Sequence, residues 1–272
     1  MHVLNYNPVL YPFSAPLSEQ QKDQVSRYGF IHLKGFLEAE TVENLLEEVR
    51  RIELMWLARQ LTHINGIPLK IGYDQGHLML QRMCFINQHS SLLQAFLADE
   101  RFKALVPLLN EADARLAQDE KDGLVFNHYI RHEGSRFSQM GWHTDSPRDL
   151  FLGGRIRPML NVGIHLDDCP KQHGGLRVLP GTHKQGFWKT VLGKRQFLDH
   201  RPHPGEVGFD IQAGDLTVHH GSLWHRVAAS PFSGEVSRRR VLYIPIVCGP
   251  YQPKNETSPT PFYHRLARFV QN

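Results

Sequence analysis

Apolar positions along this chain change their period near residue 123. Before it, helical spacing dominates. In "LSEQQKDQVSRYG" (17–29), Ser18 followed by Gln21 predicts a capping box, and Gly29 is a natural stop. "FIHLKGF" (30–36) alternates like a short strand. In "TVENLLEEVRRIELMWLARQL" (41–61), Val42, Leu45, Leu46, Val49, Ile52 and Trp56 recur at steps of three and four, which predicts a helix with one apolar face. "SLLQAFLADERFKALVPLLNEADARL" (91–116) predicts two further helical pieces, broken near Pro107.

Beyond Gly123 short strand-like runs take over, separated by Gly, Pro, Asp and Asn. They are "LVFNHYI", "PMLNVGIHL", "GLRVLP", "VGFDI", "DLTVHH" and "RVLYIPI". Many short strands with turn signals predict an antiparallel sandwich or barrel. The expectation is one domain: a mostly helical part over 1–122, a β core over 123–250 and a tail over 251–272. No linker-like stretch divides them, so the two parts are expected to share a core.

Composition narrows the class. A chain of 272 residues suits one large domain. Mean hydropathy is −0.38, and no apolar run approaches the length of a membrane span. The N-terminus, "MHVLNYNPVLYPFSAP", lacks the basic-then-apolar pattern of a secretory signal. Three scattered cysteines make neither a disulfide framework nor a zinc knuckle, so a reducing cytoplasm is the expected home. A net charge of +4 does not call for nucleic acid. The one dense basic cluster, "RRR" at 238–240, reads most simply as a solvated loop.

The 17 histidines change the picture. "GWHTDSP" (141–147) contains His-x-Asp, and on a strand residues two apart share a face. His143 and Asp145 would then offer a nitrogen and an oxygen to one point. A distant histidine would complete two histidines and a carboxylate, the facial set of non-haem Fe(II) oxygenases. The motif alone is weak. With 17 histidines and 27 acidic residues, chance supplies about two such matches, and the chain has two. The other, "HLD" at 165–167, reads as a strand residue ahead of an acidic turn. His143 follows the polar stretch "EGSRFSQMG", a better place for an open site. "VHHGSLWHR" (218–226) supplies three further histidines: His219, His220 and His225.

The order of these blocks resembles the phytanoyl-CoA dioxygenase family. "LSEQQKDQVSRYGFIHLKGFLEAETVENLLEEV" resembles its opening helix, "GF" strand and second helix. "GWHTDSP" is similar to its His-x-Asp segment. "LDDCPKQHGGLRVLPGTHKQG" (166–186) resembles its Asp-rich turn, Gly-Gly-Leu strand and Pro-Gly-Thr-His loop. "AGDLTVHHGSLWH" (213–225) and "RRRVLYIPI" (238–246) resemble its distal-histidine strand and the arginine-bearing strand after it. The blocks follow family order over nearly the whole chain.

The resemblance implies a double-stranded β-helix, or jelly roll, that uses Fe(II), 2-oxoglutarate and O2. By position, His143, Asp145 and His225 would be the iron ligands. His220 would be a supporting residue, His219 a strand residue facing elsewhere, His165 a pocket-lining residue and His183 structural. An arginine about a dozen residues past the distal histidine would clamp the far carboxylate of 2-oxoglutarate, for which a guanidinium is suited by its paired donors. Arg239 fits. The run between, "HRVAASPFSGEVSRR", is longer than the family's Gly-Ser and Pro-Asn-x-Ser turn, and it leaves Arg238 and Arg240 as alternatives. Asn127 and Tyr129, on the strand before the His-x-Asp segment, could present a polar group to the cosubstrate.

The expected activity is hydroxylation of an unactivated C–H bond in a small molecule of lipid, amino-acid or natural-product type, with release of succinate and CO2. Related halogenases replace the carboxylate ligand with a small residue. Asp145 is present, which favours hydroxylation over halogenation; desaturation, epimerisation and ring formation use the same triad and stay open. Arg155 and Arg157 in "GGRIRP" suggest an anionic substrate. The competing readings are a cupin-like metal-dependent isomerase or hydrolase working without 2-oxoglutarate, and a non-catalytic binding module.

Overall fold

The computed structural model describes residues 2–7, 9–132, 135, 137–146 and 156–261. A two-residue strand, β1 (Tyr11–Pro12), precedes helix α1 (Glu19–Tyr28). The Ser18 hydroxyl accepts from Gln21 N–H while the Gln21 side chain accepts from Ser18 N–H, so the expected capping box is formed. Gly29 closes the helix at φ 86°, a left-handed conformation that costs glycine little. Strand β2 (Phe30–Lys34) leads to α2 (Ala39–Ala58), which buries Val42, Leu45, Val49, Ile52 and Trp56 along the anticipated face.

The middle of the N-terminal part departs from the helical expectation. It contains β3 (His63–Ile64), β4 (Ile67–Pro68), β5 (Lys70–Asp74) and β6 (His77–Met83). β5 and β6 form a hairpin whose two turn residues, Gln75 and Gly76, both sit at positive φ, the geometry that matches strand twist. β6 then pairs with a core strand, so the hairpin extends the main sheet. The 91–116 stretch breaks before Pro107: α3 (Ser91–Leu97) ends at Ala98, Asp99 caps α4 (Glu100–Lys103), and Pro107 lies in a 3-10 turn.

The β core follows the expected jelly-roll plan. Its strands are β7 (Arg115–Leu116), β8 (Val125–Tyr129), β9 (Met140–His143), β10 (Met159–His165), β11 (Gly175–Val178), β12 (Val207–Gly208), β13 (Leu216–His220), β14 (His225–Ala228) and β15 (Arg239–Val247). Helix α5 (Phe187–Leu192) lies between β11 and β12. The larger sheet runs β1-β2-β13-β10-β15-β8-β6-β5, with β7 added on β15; the smaller runs β12-β11-β14-β9. Asp215 ties the N-terminal strand to this core. Its carboxylate accepts from Gly35 N–H and Gln212 N–H and lies 2.8 Å from His32 Nε2. One apolar cluster includes Val42 and Trp56 of α2 together with Val162, Val218 and Ile244 of the core strands. No helix among the described residues is long and apolar enough to cross a membrane.

Candidate active site

β9 and β14 are antiparallel neighbours, and His143 and His225 are direct cross-strand partners. Opposed residues project to the same face, and their rings stand 4.1 Å apart. Each ring is oriented by its own backbone. His143 Nδ1 lies 2.8 Å from Gly141 O, and His225 Nδ1 lies 3.0 Å from Leu223 O. A carbonyl only accepts, so both Nδ1 atoms carry the proton and both Nε2 lone pairs are free for a metal. Those Nε2 atoms face Asp145, at 3.9 Å from Oδ1 and 3.8 Å from Oδ2 respectively. Asp145 is fixed by its N–H donating to Gly221 O at 2.7 Å. The three ligand atoms all lie within 4.8 Å of one another.

Protonation follows from burial. Burial pushes His143 down and His225 well down, which keeps both imidazoles neutral. Burial works against the Asp145 carboxylate, yet its carboxyl lies below its ordinary range and is ionised. Two neutral nitrogens and one ionised carboxylate are the donor set for a divalent transition metal.

The histidine pair at the end of β13 divides in an unexpected way. His219, expected to face elsewhere, points into the site: Nε2 is 3.7 Å from Asp145 Oδ2, and its ring is 4.4 Å from that of His225. Neither ring nitrogen has a hydrogen-bond partner among the described residues, although the residue is 1 % exposed. The reason lies in the turn at 221–224, which carries the chain from one sheet to the other, so the inner faces of β13 and β14 meet. His220 faces away, and its Nδ1 accepts from Ser222 N–H to shape that turn. Asn161, unmarked in the sequence, donates to Asp145 Oδ2 at 3.3 Å. His165 bonds Thr217, and His183 Nε2 lies 3.1 Å from Ser26 O in the last turn of α1.

The Arg238–Arg240 run is the start of β15 together with its cap, which corrects the solvated-loop reading. Arg238 pairs with Asp74 and Glu235. Arg240 forks onto Asp167 and faces the opposite side of the strand from Arg239, which removes it as a cosubstrate clamp. Arg239 is 7 % exposed, donates to Ala228 O and Ser138 O at 2.8 Å each, and has no partner for Nε among the described residues. It has no carboxylate partner among the described residues. Burial lowers its pKa, yet a guanidinium stays charged. A buried cation of this kind calls for an anionic ligand.

Arg239 lies over the Tyr129 ring, Tyr129 stacks on Phe137, and the Lys70 ammonium lies 4.3 Å over Phe137. Lys70 also has no carboxylate partner among the described residues, and burial with Arg82 nearby lowers it to about 8. No spacing in the sequence marks this lysine. Asn127 is buried beside Tyr129, with long contacts to the Tyr129 hydroxyl and Arg82 at 3.4 and 3.5 Å. Arg155 lies outside the described residues. Arg157 is exposed and runs along Gly249. A cavity of about 450 Å³ on the other face of the large sheet holds none of the triad. Its arginines, Arg50, Arg238 and Arg240, are each matched by an acid.

The family model of phytanoyl-CoA dioxygenase matches residues 25–239. A curated relative from Stutzerimonas stutzeri, a probable alpha-ketoglutarate-dependent hypophosphite dioxygenase, is 23% identical over 245 residues, spanning 83% of this chain and 77% of its own. Among solved structures, the nogalamycin carbocyclase SnoK superposes with TM-score 0.64 at 16% identity, covering 94% of this chain and 93% of its own. The epimerase SnoN in complex with Fe3+, alpha ketoglutarate and nogalamycin RO gives 0.61 at 18%, covering 89% and 94%. EvdO2 from Micromonospora carbonacea var. aurantiaca complexed with 2-oxoglutarate gives 0.61 at 14%, covering 92% and 97%.

Proposed function

The chain belongs to the phytanoyl-CoA dioxygenase family of Fe(II)- and 2-oxoglutarate-dependent oxygenases, and from that premise we propose that His143, Asp145 and His225 hold the iron and Arg239 the far carboxylate of 2-oxoglutarate. The observation that carries this reading is the cross-strand pairing of His143 with His225 around a fixed Asp145. The Arg239 guanidinium, which has no carboxylate partner among the described residues, fits the second anion of a dicarboxylate. Both proposals fit the chemistry of the groups: imidazole and carboxylate donors for Fe(II), a buried guanidinium for a carboxylate.

When bound, iron and 2-oxoglutarate supply the oxidising power, with succinate and CO2 as by-products. The chain's own residues bind, orient and exclude water. The Nδ1 bonds of His143 and His225 fix their tautomers. Asn161 and His219 flank Asp145 Oδ2 and would orient the carboxylate for a metal. Asn127 stands beside Tyr129 as a further polar contact for the cosubstrate. Tyr129, Phe137 and Val227 close the apolar ground around Arg239. Asp145 occupies the position that a halide would need, so hydroxylation of a C–H bond is favoured over halogenation. The fold neighbours include an epimerase and a carbocyclase, so the by-product alone does not identify the product.

Asp145→Ala tests the assignment. The expected outcome is loss of both Fe(II) binding and succinate release. Full turnover with unchanged iron affinity would remove Asp145 from the triad.

A further inference from the structure

We propose that residues 187–198 form the substrate-binding wall of this site, and that the substrate presents an apolar body, alkyl or aryl, to it. The inference rests on the metal-site reading above and deepens it. Five large apolar side chains are exposed within twelve residues: Phe187 48%, Trp188 71%, Leu192 69%, Phe197 49% and Leu198 56%. A concentration of that kind marks a binding surface. The chain buries its other three tryptophans, Trp56, Trp142 and Trp224, completely.

The segment is fastened to the triad at both histidine ligands. Thr144, between His143 and Asp145, donates its N–H to Gln196 Oε1 and its hydroxyl to Thr190 O, at 3.0 and 3.2 Å. Trp224, next to His225, donates its indole N–H to Lys189 O at 3.2 Å. Phe197 completes the link: its ring stacks on His143 at 4.5 Å and 23°. Its backbone is held at φ 63°, a conformation that costs a non-glycine residue. Phe197 N–H donates to Trp142 O and Trp142 N–H to Asp199 O, both at 2.8 Å. Only a glycine at 141 lets that strand approach, since a Cβ there would stand 2.3 Å from Phe197 O.

A strained aromatic residue thus rests on a metal ligand and continues into an exposed apolar surface. A molecule lying against Phe197 is one aromatic ring away from His143. Such a wall gives nothing to a small inorganic oxyanion of the kind named for the curated relative, and it gives a hydrocarbon surface its natural partner.

Trp188 is the one strongly exposed tryptophan, and it reports on the wall directly. The test uses holoenzyme loaded with Fe(II) and 2-oxoglutarate under anaerobic conditions, titrated with the neutral dye N-phenyl-1-naphthylamine. Expected are saturable binding at one site, quenching of Trp188 emission by energy transfer and a shift of the visible metal–2-oxoglutarate band. Trp188→Phe should keep dye binding and lower the quenching, leaving the part that comes from Trp142 and Trp224 against the same segment. Leu192→Gln with Leu198→Gln should weaken the dye about tenfold or more while Fe(II) affinity stays within about twofold. Dye that fails to bind, that binds without moving the band, or that binds the double variant equally well overturns the proposal. Trp188 emission that turns blue with concentration as the mass doubles also overturns it, making the wall a subunit interface. If the metal–2-oxoglutarate band never forms, the metal-site reading fails, while Trp188 quenching by the dye still reads the wall.

Discussion

Replacing Arg239 by lysine keeps the charge and removes the fork. In the structure two guanidinium nitrogens are already spent on Ala228 O and Ser138 O, and Nε is open. An ammonium is a single centre. It cannot reach both carbonyls and a dicarboxylate with the geometry a guanidinium commands. Losing one hydrogen bond to a charged group costs about 1.5–3 kcal/mol, and about 1.4 kcal/mol is tenfold in affinity. Arg239→Lys should therefore weaken 2-oxoglutarate by roughly 10- to 150-fold. It should leave Fe(II) affinity, and the rate at saturating cosubstrate, much less changed. The assay is the KM for 2-oxoglutarate from succinate formation, paired with an anaerobic metal titration. Arg240→Lys is the matched control, because Arg240 is committed to Asp167. A KM within about twofold of the parent for Arg239→Lys would refute the clamp. So would a larger effect from the control.

Other outcomes follow from the same geometry. His219→Phe keeps the ring volume and removes the imidazole beside Asp145 Oδ2; calorimetric titration should show iron bound about 10- to 100-fold more weakly, and unchanged affinity would make His219 a packing residue. Burial lowers His165 to about 3, so its native form stays neutral while the unfolded chain takes up a proton below about 6.5. The stability it carries is complete above that pH and falls as pH drops toward 3, by about 2 kcal/mol at pH 5. Urea midpoints at pH 7.5 and 5 should show a smaller drop for His165→Gln, and equal drops would contradict the assignment.

Much of this molecule could be read from its residues. The Ser18–Gln21 box, the α2 stripe from Val42 to Trp56 and the change of period at Gly123 are local, and local patterns survive folding. His143, Asp145, His225 and Arg239 could be picked out because their blocks keep a recognisable order, and the structure brings the first three side chains together. The hairpin over 70–83 was hidden because its turn, Gln75–Gly76, lies among polar residues that also suit a helix. Counting alternate residues pairs His219 with His225, and the structure keeps that pairing across the turn at 221–224, which was expected to break it; the direction of a turn that joins two sheets is not written in spacing. The adjacent arginines, Arg238, Arg239 and Arg240, separate into an ion pair, a buried cation and a second ion pair only once the partner strands are in place. Lys70 reaches the same pole through Phe137 and Tyr129, a ladder built from three distant stretches.

The most direct test of the account is an anaerobic titration of the protein with 2-oxoglutarate, with and without Fe(II), followed by the visible metal-to-ligand band. One equivalent should bind, and the band should require iron, vanish in His143→Ala, Asp145→Ala and His225→Ala, and need far more 2-oxoglutarate in Arg239→Lys. Binding that ignores iron, or a band that survives loss of the triad, would contradict it.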